Sequence, residues 1–149
     1  MPSPNNLTFS QNGLSLTKKF EGIRLTAYQD QGGVWTIGYG HTGSDVQAGL
    51  PIPDDQASDL LMKDTAKAVA AVNRSVSVPL TQNQFDALVD FVFNVGAGNF
   101  QSSTLLRDLN ASNFAAAAAE FQKWDHVHGV VVPGLLTRRQ AEAELFQTA

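Results

Sequence analysis

The segment 81–95 places the strongest constraint on the fold, because its apolar residues run almost all the way round a helix. Polar residues interrupt it at four-residue spacing, namely Asp86, Asp90 and Asn94. This pattern is typical of a helix that is buried in the middle of a domain and keeps one wet edge along its polar stripe. The rest of the 149-residue chain, which has the length of one compact domain, is expected to pack around it.

Further helices are predicted on both sides of this segment. Asp54 and Asp55 follow two prolines and begin a helix that runs to about Val72, since acidic residues suit a helix N-terminus. Shorter helical patterns cover residues 102–110, 113–124 and 137–146. The first 12 residues carry no periodic pattern and are expected to form a loose N-terminal arm.

The hydrophobic period changes from helical to alternating near Gly22. Residues 13–22 predict a short helix that Gly22 ends, and residues 25–28 and 34–39 predict two strands joined by a turn at 31–33. The expected fold is therefore α+β and mainly α, in one domain. Its predicted parts are the arm (1–12), a small lobe with a β-sheet (13–53), a long connecting helix (54–73) and a helical lobe (74–149), with a substrate cleft between the lobes.

Two carboxylates and a hydroxyl lie at short spacing across this change of period, as Glu21, Asp30 and Thr36. Cleavage of a glycosidic bond needs one carboxyl group that protonates the leaving oxygen and a second that acts on the opposite face of the sugar. A helix end and a nearby hairpin can supply both. The plain alternatives are a solvated carboxylate at a helix end for Glu21 and a turn residue that binds its own backbone for Asp30.

The position of Glu21 in the last turn of a helix bears on its role as a proton donor. The helix macrodipole disfavours an anion at this end, which favours the protonated acid. A cation beside Glu21, such as the nearby Arg24, would have the opposite effect. The sequence leaves both effects open.

Composition excludes several classes of partner. A formal net charge of −4 argues against nucleic acid, which is bound mainly through Lys and Arg. With no cysteine the chain has neither a disulfide nor a thiolate metal site, and its N-terminus carries no signal-like or membrane-spanning segment. His126 and His128 lie two apart in a predicted loop without a completing ligand set, so neither a metal nor any other cofactor is expected.

The spacing of Glu21, Asp30 and Thr36 resembles the catalytic triad of the phage T4-type lysozymes, the phage endolysin and muramidase family. The resemblance extends to further blocks in the same order, covering roughly residues 13–147. These blocks are Phe20-Glu21-Gly22, Thr36-Ile37-Gly38-Tyr39-Gly40-His41, Phe93-Asn94-Val95-Gly96 and the segment 134–142 with Arg138-Arg139.

The resemblance implies a hydrolase that cuts the β-1,4 bond between N-acetylmuramic acid and N-acetylglucosamine in peptidoglycan and so lyses the host cell. It makes Glu21 the general acid, and Asp30 with Thr36 the groups that activate water, with net inversion. It further implies that Phe93, Asn94 and Arg138 bind substrate, with Arg138 pointing at the cleft and Glu21. The plain alternative for Arg138 and Arg139 is a solvated charge or a pair with Glu142 or Glu144. It also suggests a structural ion pair between His41 and Asp64.

The expected partner is bacterial peptidoglycan, with no nucleic acid and no stable membrane association, and the protein is expected to be a monomer. By resemblance it is made in the host cytoplasm and reaches the cell wall through a phage membrane pore. Two alternatives stay open. One is a lytic transglycosylase, which leaves an anhydro sugar end, and the other is a peptidoglycan-binding module without activity.

Overall fold

The computed structural model describes residues 4–30, 32–49, 51–127 and 129–148, and of Val127 it describes the backbone only. The predicted α+β, mainly helical class is confirmed. The helices are α1 (Gln11–Glu21), α2 (Asp54–Ser75), α3 (Gln82–Val95), α4 (Ala97–Gln101), α5 (Thr104–Asn110), α6 (Phe114–Glu120) and α7 (Pro133–Gln147), with a 3₁₀ turn at Phe121–Trp124. The strands are β1 (Arg24–Gln29), β2 (Trp35–Gly38), β3 (His41–Thr42), β4 (His126–Val127) and β5 (Val130–Val131).

Helix α3 is the buried helix that its sequence predicts. Thr81 caps its N-terminus in a capping box with Gln84, and the backbone turns away at Gly96, where φ is +97°. Phe91 forms edge-to-face contacts with Phe121 and Trp124, at ring-centroid distances of 5.3 and 5.7 Å. The aromatic side chains that the sequence marked as apolar therefore form the core around α3.

The predicted wet edge of α3 is wrong. Asp86 and Asp90 are both fully buried, and only Asn94, the last residue of the stripe, is exposed. Buried carboxylates need partners, and both find them in other segments of the chain. Asp86 accepts hydrogen bonds from the backbone and hydroxyl of Ser10, while Asp90 binds Arg138. The polar stripe thus lies mostly inside the protein, where it attaches α3 to other segments of the chain.

From residue 4 onwards, the N-terminal segment is not a loose arm. The Asn5 side chain donates to the carbonyl of Val78 at 2.8 Å and accepts from the N–H of Leu80 at 3.0 Å. The Ser10 hydroxyl accepts from the N–H of Gly13 and so caps α1, which starts two residues earlier than predicted. Polar side chains fix this segment, which explains why hydrophobic periodicity gave no signal for it.

The predicted small sheet is confirmed and has one strand more than expected. Its three strands are antiparallel in the order β1-β2-β3, with Tyr28 paired to Thr36 and Ile37 paired to His41. Gln31, part of the predicted turn, lies outside the described residues. The turn itself closes through the N–H of Asp30, which donates to the carbonyl of Val34 at 2.9 Å.

The helices toward the C-terminus follow the predicted patterns with altered ends. Helix α7 begins at Pro133 rather than at Thr137, because proline suits the first turn of a helix. The short helix α4 and the two-stranded β4–β5 hairpin were not predicted, since two to five residues carry too little periodicity. In the described part of the chain no helix has the length and apolarity that crossing a membrane requires.

The described chain divides into two compact units. The sheet unit comprises residues 14–66. The helical unit comprises the described residues up to Gly13 and those from Lys67 onwards. The divisions fall inside α1 and inside α2 rather than at helix ends.

Candidate active site

Glu21 is the last residue of α1, where the sequence placed it. The next residue, Gly22, has a φ of +69°, and its N–H donates to the carbonyl of Lys18 at 3.0 Å. Glu21 is half-buried, and its carboxylate lies beside Gly40. A Cβ on Gly40 would lie 3.0 Å from Glu21 Oε1, which is closer than most side-chain contacts. Glycine at position 40, where φ is +83°, therefore leaves room for the carboxylate.

Asp30 lies at the exposed turn between β1 and β2 and is fixed by backbone groups. Its Oδ1 accepts hydrogen bonds from the N–H of Gly32 at 2.8 Å and of Val34 at 2.9 Å. Its own carbonyl accepts from the N–H of Gly33 at 2.9 Å. Neither side-chain bond uses Oδ2. The turn-residue reading of Asp30 thus describes how the carboxylate is oriented, and it is compatible with a chemical role.

Thr36 lies in β2 and is only 4% exposed. Its hydroxyl donates to the carbonyl oxygen of Val34 at 3.0 Å. Because the hydroxyl proton is used in this bond, the Thr36 oxygen faces other ligands as an acceptor. The backbone of Val34 therefore binds both Asp30, through its N–H, and Thr36, through its carbonyl. The spacing of Asp30 and Thr36 in the sequence could not reveal that both bind Val34.

Cationic side chains of the sheet unit lie over aromatic rings. The Arg24 guanidinium is 4.8 Å from the ring centre of Tyr28, the residue paired with Thr36. The Lys18 ammonium is 5.3 Å from the ring centre of Tyr39. Both distances are within the range of a cation–π interaction. These contacts hold positive charge along β1 and α1.

The predicted pair between His41 and Asp64 is confirmed, with Nδ1 2.7 Å from the Asp64 carboxylate. A second partner was missed, because Nε2 lies 3.0 Å from both oxygens of Asp45. Burial acts to lower the pKa of His41, but hydrogen bonds to the two carboxylates and their charges outweigh it, so the pKa is raised above its ordinary value of 6.5. The His41 side chain thus fastens the loop after β3 to α2.

No group of three or more His, Asp and Glu side chains is arranged to hold a metal ion among the residues that the structure describes. His126 pairs with its neighbour Asp125 at 2.5 Å. His128, the other member of the metal hypothesis, lies outside the described residues.

The predicted substrate-binding residues Phe93 and Asn94 end helix α3 in the helical unit. Phe93 is half-buried and Asn94 is exposed. Asn94 lines a pocket of about 380 Å³ together with five other side chains. These are Val95, Asn99, Trp124, His126 and Leu135. An aromatic ring beside amide side chains offers the mix of apolar surface and hydrogen-bonding groups that ligand sites use.

Arg138 lies in α7 and is 5% exposed. Its Nε and Nη2 donate to the two oxygens of Asp90, at 3.1 and 2.8 Å. The next residue, Arg139, is fully buried and lies with Nε 2.7 Å from Oε1 of Glu142. A pair with Glu142 was one of the alternatives that the sequence offered for these arginines, whereas Asp90 was missed as the partner of Arg138, although the four-residue spacing of Asp90 and Asn94 on α3 was visible.

Comparison with known proteins gives one consistent family. The phage lysozyme family matches residues 18–142. An endolysin of Acyrthosiphon pisum secondary endosymbiont phage 1 is 47% identical over 144 residues, covering 94% of this chain and 98% of the relative. The endolysin of Salmonella phage P22 is 42% identical, with coverages of 94% and 98%.

Solved structures agree with these sequence matches. The endolysin from Escherichia coli O157:H7 phage FAHEc1 has a TM-score of 0.90 and 41% identity, covering 96% of this chain and 95% of its own. Since a family match spans most of the chain and endolysin relatives span nearly all of it, the chain belongs to the phage lysozyme family and is an endolysin that hydrolyses bacterial peptidoglycan.

Proposed function

We propose that this endolysin cuts the β-1,4 bond between N-acetylmuramic acid and N-acetylglucosamine by a single displacement with inversion, using Glu21, Asp30 and Thr36. Glu21 gives its proton to the glycosidic oxygen as the bond from that oxygen to C1 breaks. A water forms the new bond to C1 from the opposite face and loses a proton to Asp30. The observation that carries the proposal is that the backbone of Val34 makes hydrogen bonds to the side chains of both Asp30 and Thr36.

The hydrogen bonds of Thr36 define what it can do to the water. Because its proton is engaged with Val34, its oxygen accepts one hydrogen of the water. The water's other hydrogen then points to the Asp30 carboxylate, and a lone pair is left for the sugar carbon. Such a water is held in one orientation before reaction, which lowers the entropy cost of the attack.

Inversion carries a geometric requirement. The two carboxyl groups of an inverting glycosidase stand roughly 6.5–9.5 Å apart, against about 5–5.5 Å in a retaining one, because a water must fit between carboxylate and sugar. We expect Glu21 and Asp30 to keep the larger separation when substrate is bound.

Substrate contacts are assigned to Phe93, Asn94 and Arg138 in the helical unit. The exposed amide of Asn94, at the edge of a pocket that contains Trp124, supports the assignment for α3. For Arg138 the support is the family resemblance, together with a guanidinium that two hydrogen bonds to Asp90 hold in one plane.

The enzyme acts as a monomer, without stable membrane association, and reaches the wall through a pore that the phage supplies. This part of the proposal rests on the family resemblance. Expression of the enzyme in a host with and without such a pore protein tests the release route. Lysis should follow only when the enzyme and the pore protein are both present.

Clearing of chloroform-treated Gram-negative cells tests the catalytic assignment. Glu21→Gln and Asp30→Asn should each lose nearly all activity, whereas the matched exposed controls Glu144→Gln and Asp59→Asn should clear cells at the wild-type rate. Equal clearing by Glu21→Gln and wild type would end the assignment of the acid. An anhydro sugar end among the products would show that the enzyme is a lytic transglycosylase rather than a hydrolase.

A further inference from the structure

The loop that follows β3 is attached to the rest of the sheet unit through the side chain of Asp45. Residues 43–49 run in turns and irregular backbone, and apart from the half-buried Val46 they are exposed. The N–H of Val46 donates to the carbonyl of Gly43, so this bond stays inside the loop. Among the described residues, Asp45 is the member of 44–49 that hydrogen-bonds outside the loop, and its partner is His41. The position of the loop therefore depends on this contact.

Gly43 leaves the space that the Asp45 carboxylate needs beside the ring. A Cβ at position 43 would lie 2.9 Å from Asp45 Oδ1 and 3.9 Å from His41 Nε2. The φ of Gly43 is +140°, a backbone conformation that favours glycine. Any other side chain at this position would therefore press against the carboxylate.

His41 lies between two carboxylates and can donate to both of them in its protonated form alone. Its Nδ1 lies 2.7 Å from Asp64 Oδ2, and its Nε2 lies 3.0 Å from each oxygen of Asp45. An imidazolium has two N–H groups, whereas a neutral imidazole has one N–H and one lone pair. When His41 loses its proton, one of the two carboxylates therefore faces a lone pair and is repelled.

Asp45 is the partner that then leaves the ring. The contact of His41 with Asp64 is the shorter one, and the Asp64 side chain is 28% exposed on the long helix α2. The Asp45 side chain is 62% exposed on the loop, where water can solvate it as soon as it moves away. The remaining N–H therefore stays on Nδ1 toward Asp64, and the lone pair of Nε2 faces Asp45.

The other charges around this pair do not replace the missing proton. The hydrogen bond from His41 is the largest cause that lowers the pKa of Asp45, and the charge of Lys63 on α2 is the smallest. Asp45 is thus ionised at the pH where His41 titrates. Burial acts to lower the pKa of His41, but the two carboxylates raise it above 6.5. The other side chains that line the pocket next to His41 are uncharged.

The loop forms part of the wall of this pocket, which lies in the sheet unit and has a volume of about 350 Å³. Asp45, Val46 and Gln47 line it, together with side chains of β2 and α2. One of these is Ile37, which is 4% exposed. Movement of the loop would therefore open the pocket and expose apolar surface.

We propose that the contact between Asp45 and His41 is a pH-sensitive latch, which holds residues 43–49 over the pocket while His41 is protonated and releases them when it is neutral. The latch uses none of the groups assigned to bond cleavage. Its test is therefore independent of the reaction scheme.

Carbon-13 methyl NMR of the full chain tests the latch, because methyl groups stay visible at a pH where amide protons exchange too fast. As pH rises from 5 to 9, the order parameter of the Val46 methyls should fall by roughly a third, the difference between a rigid and a flexible group. The midpoint should coincide with the titration of His41, read from its ring carbons in the same samples. The methyls of Leu61, which is 1% exposed on α2, should keep their order parameter.

Two variants of Asp45 separate the latch from a general effect of pH. Asp45→Ala lacks the carboxylate, so Val46 should be mobile already at pH 5. Asp45→Asn carries an amide that can accept from the imidazolium and donate to the lone pair of the neutral ring, so its loop should stay ordered at both pH values. Asp59→Asn, a matched change at another exposed aspartate of the same unit, should behave as wild type.

Several outcomes would overturn the latch. One is a Val46 order parameter that stays level from pH 5 to 9 in wild type. Others are an ordered loop in Asp45→Ala at pH 5, or a fall in Asp45→Asn equal to that in wild type. A parallel loss of order at Leu61 would also overturn it, because the whole unit would then be loosening rather than the loop alone.

Discussion

The hairpin that carries Asp30 and the polar stripe of α3 place carboxylates in opposite ways. Asp30 is exposed, and its side-chain partners are N–H groups two and four residues away. Asp86 and Asp90 are fully buried, and most of their partners are tens of residues distant, as Ser10 and Arg138 are. An acid held by its own turn stays open to solvent and chemistry, whereas an acid held by distant segments joins parts of the chain.

The largest expected effect that separates the two regions is that of Asp90→Ala. Removing this carboxylate leaves the buried cation of Arg138 without its two-point partner, which typically costs about 3–5 kcal/mol. Urea unfolding followed by circular dichroism measures the loss. A cost below about 1 kcal/mol, the value of an exposed pair, would show that the stripe is solvated after all.

The other end of the stripe is tested by Gly13→Ala. A Cβ there would lie 2.5 Å from the Phe9 ring and 2.7 Å from Asp86, so the helices must separate. Overpacking of this kind costs about 1–3 kcal/mol. Gly98→Ala is the matched control, because a Cβ at position 98 meets nothing within 4 Å. Equal unfolding free energies for the two variants would contradict the close approach of Gly13 to Phe9 and Asp86.

On the hairpin, Asp30→Ala should cost only about 1 kcal/mol, since its two bonds are to exposed backbone N–H groups that water can satisfy. The same change should remove nearly all activity. Thermal unfolding and cell clearing, measured on one preparation with Asp59→Ala as control, check both parts. Large destabilisation would mean that the carboxylate is chiefly a structural part of the turn.

The smallest effect concerns the His41 clamp of the sheet unit, in which Asp45 and Asp64 bind the two nitrogens of the His41 ring. Because the pKa of His41 is raised on folding, its contribution to stability is complete below about pH 6.5 and is lost as pH rises through the folded value. Asp64 faces its Nδ1 from α2, and Asp45 faces its Nε2 from the loop. Unfolding free energies between pH 5 and 9 should fall more for wild type than for His41→Asn, and parallel curves would contradict this.

The same contrast explains what the sequence could predict. The end of α1 at Gly22, the hairpin and the position of Thr36 depend on neighbouring residues, so local patterns were sufficient. The burial of Asp86 and Asp90 depends on Ser10 and Arg138, which no local pattern connects to α3. Periodicity identifies a polar stripe, but it does not distinguish water from a buried partner.

In the candidate site, too, some features could be identified from the sequence and others could not. The residues Glu21, Asp30 and Thr36 could be selected by spacing and resemblance. The hydrogen bonds of Val34 with two of them, and of Asp45 with His41, are visible only in the structure. The bonds of Val34 use backbone groups, and Asp45 comes from a loop, so neither depends on a residue type that the sequence would reveal.

The proposed inversion requires a water that Asp30 and Thr36 deliver to the face opposite the leaving sugar. Proton NMR of the first products from a soluble glycan, recorded before mutarotation, reads the configuration of the new reducing end directly. Inversion of the β-1,4 bond predicts an α-configured N-acetylmuramic acid. A β-configured end would contradict the single displacement and require a covalent intermediate instead.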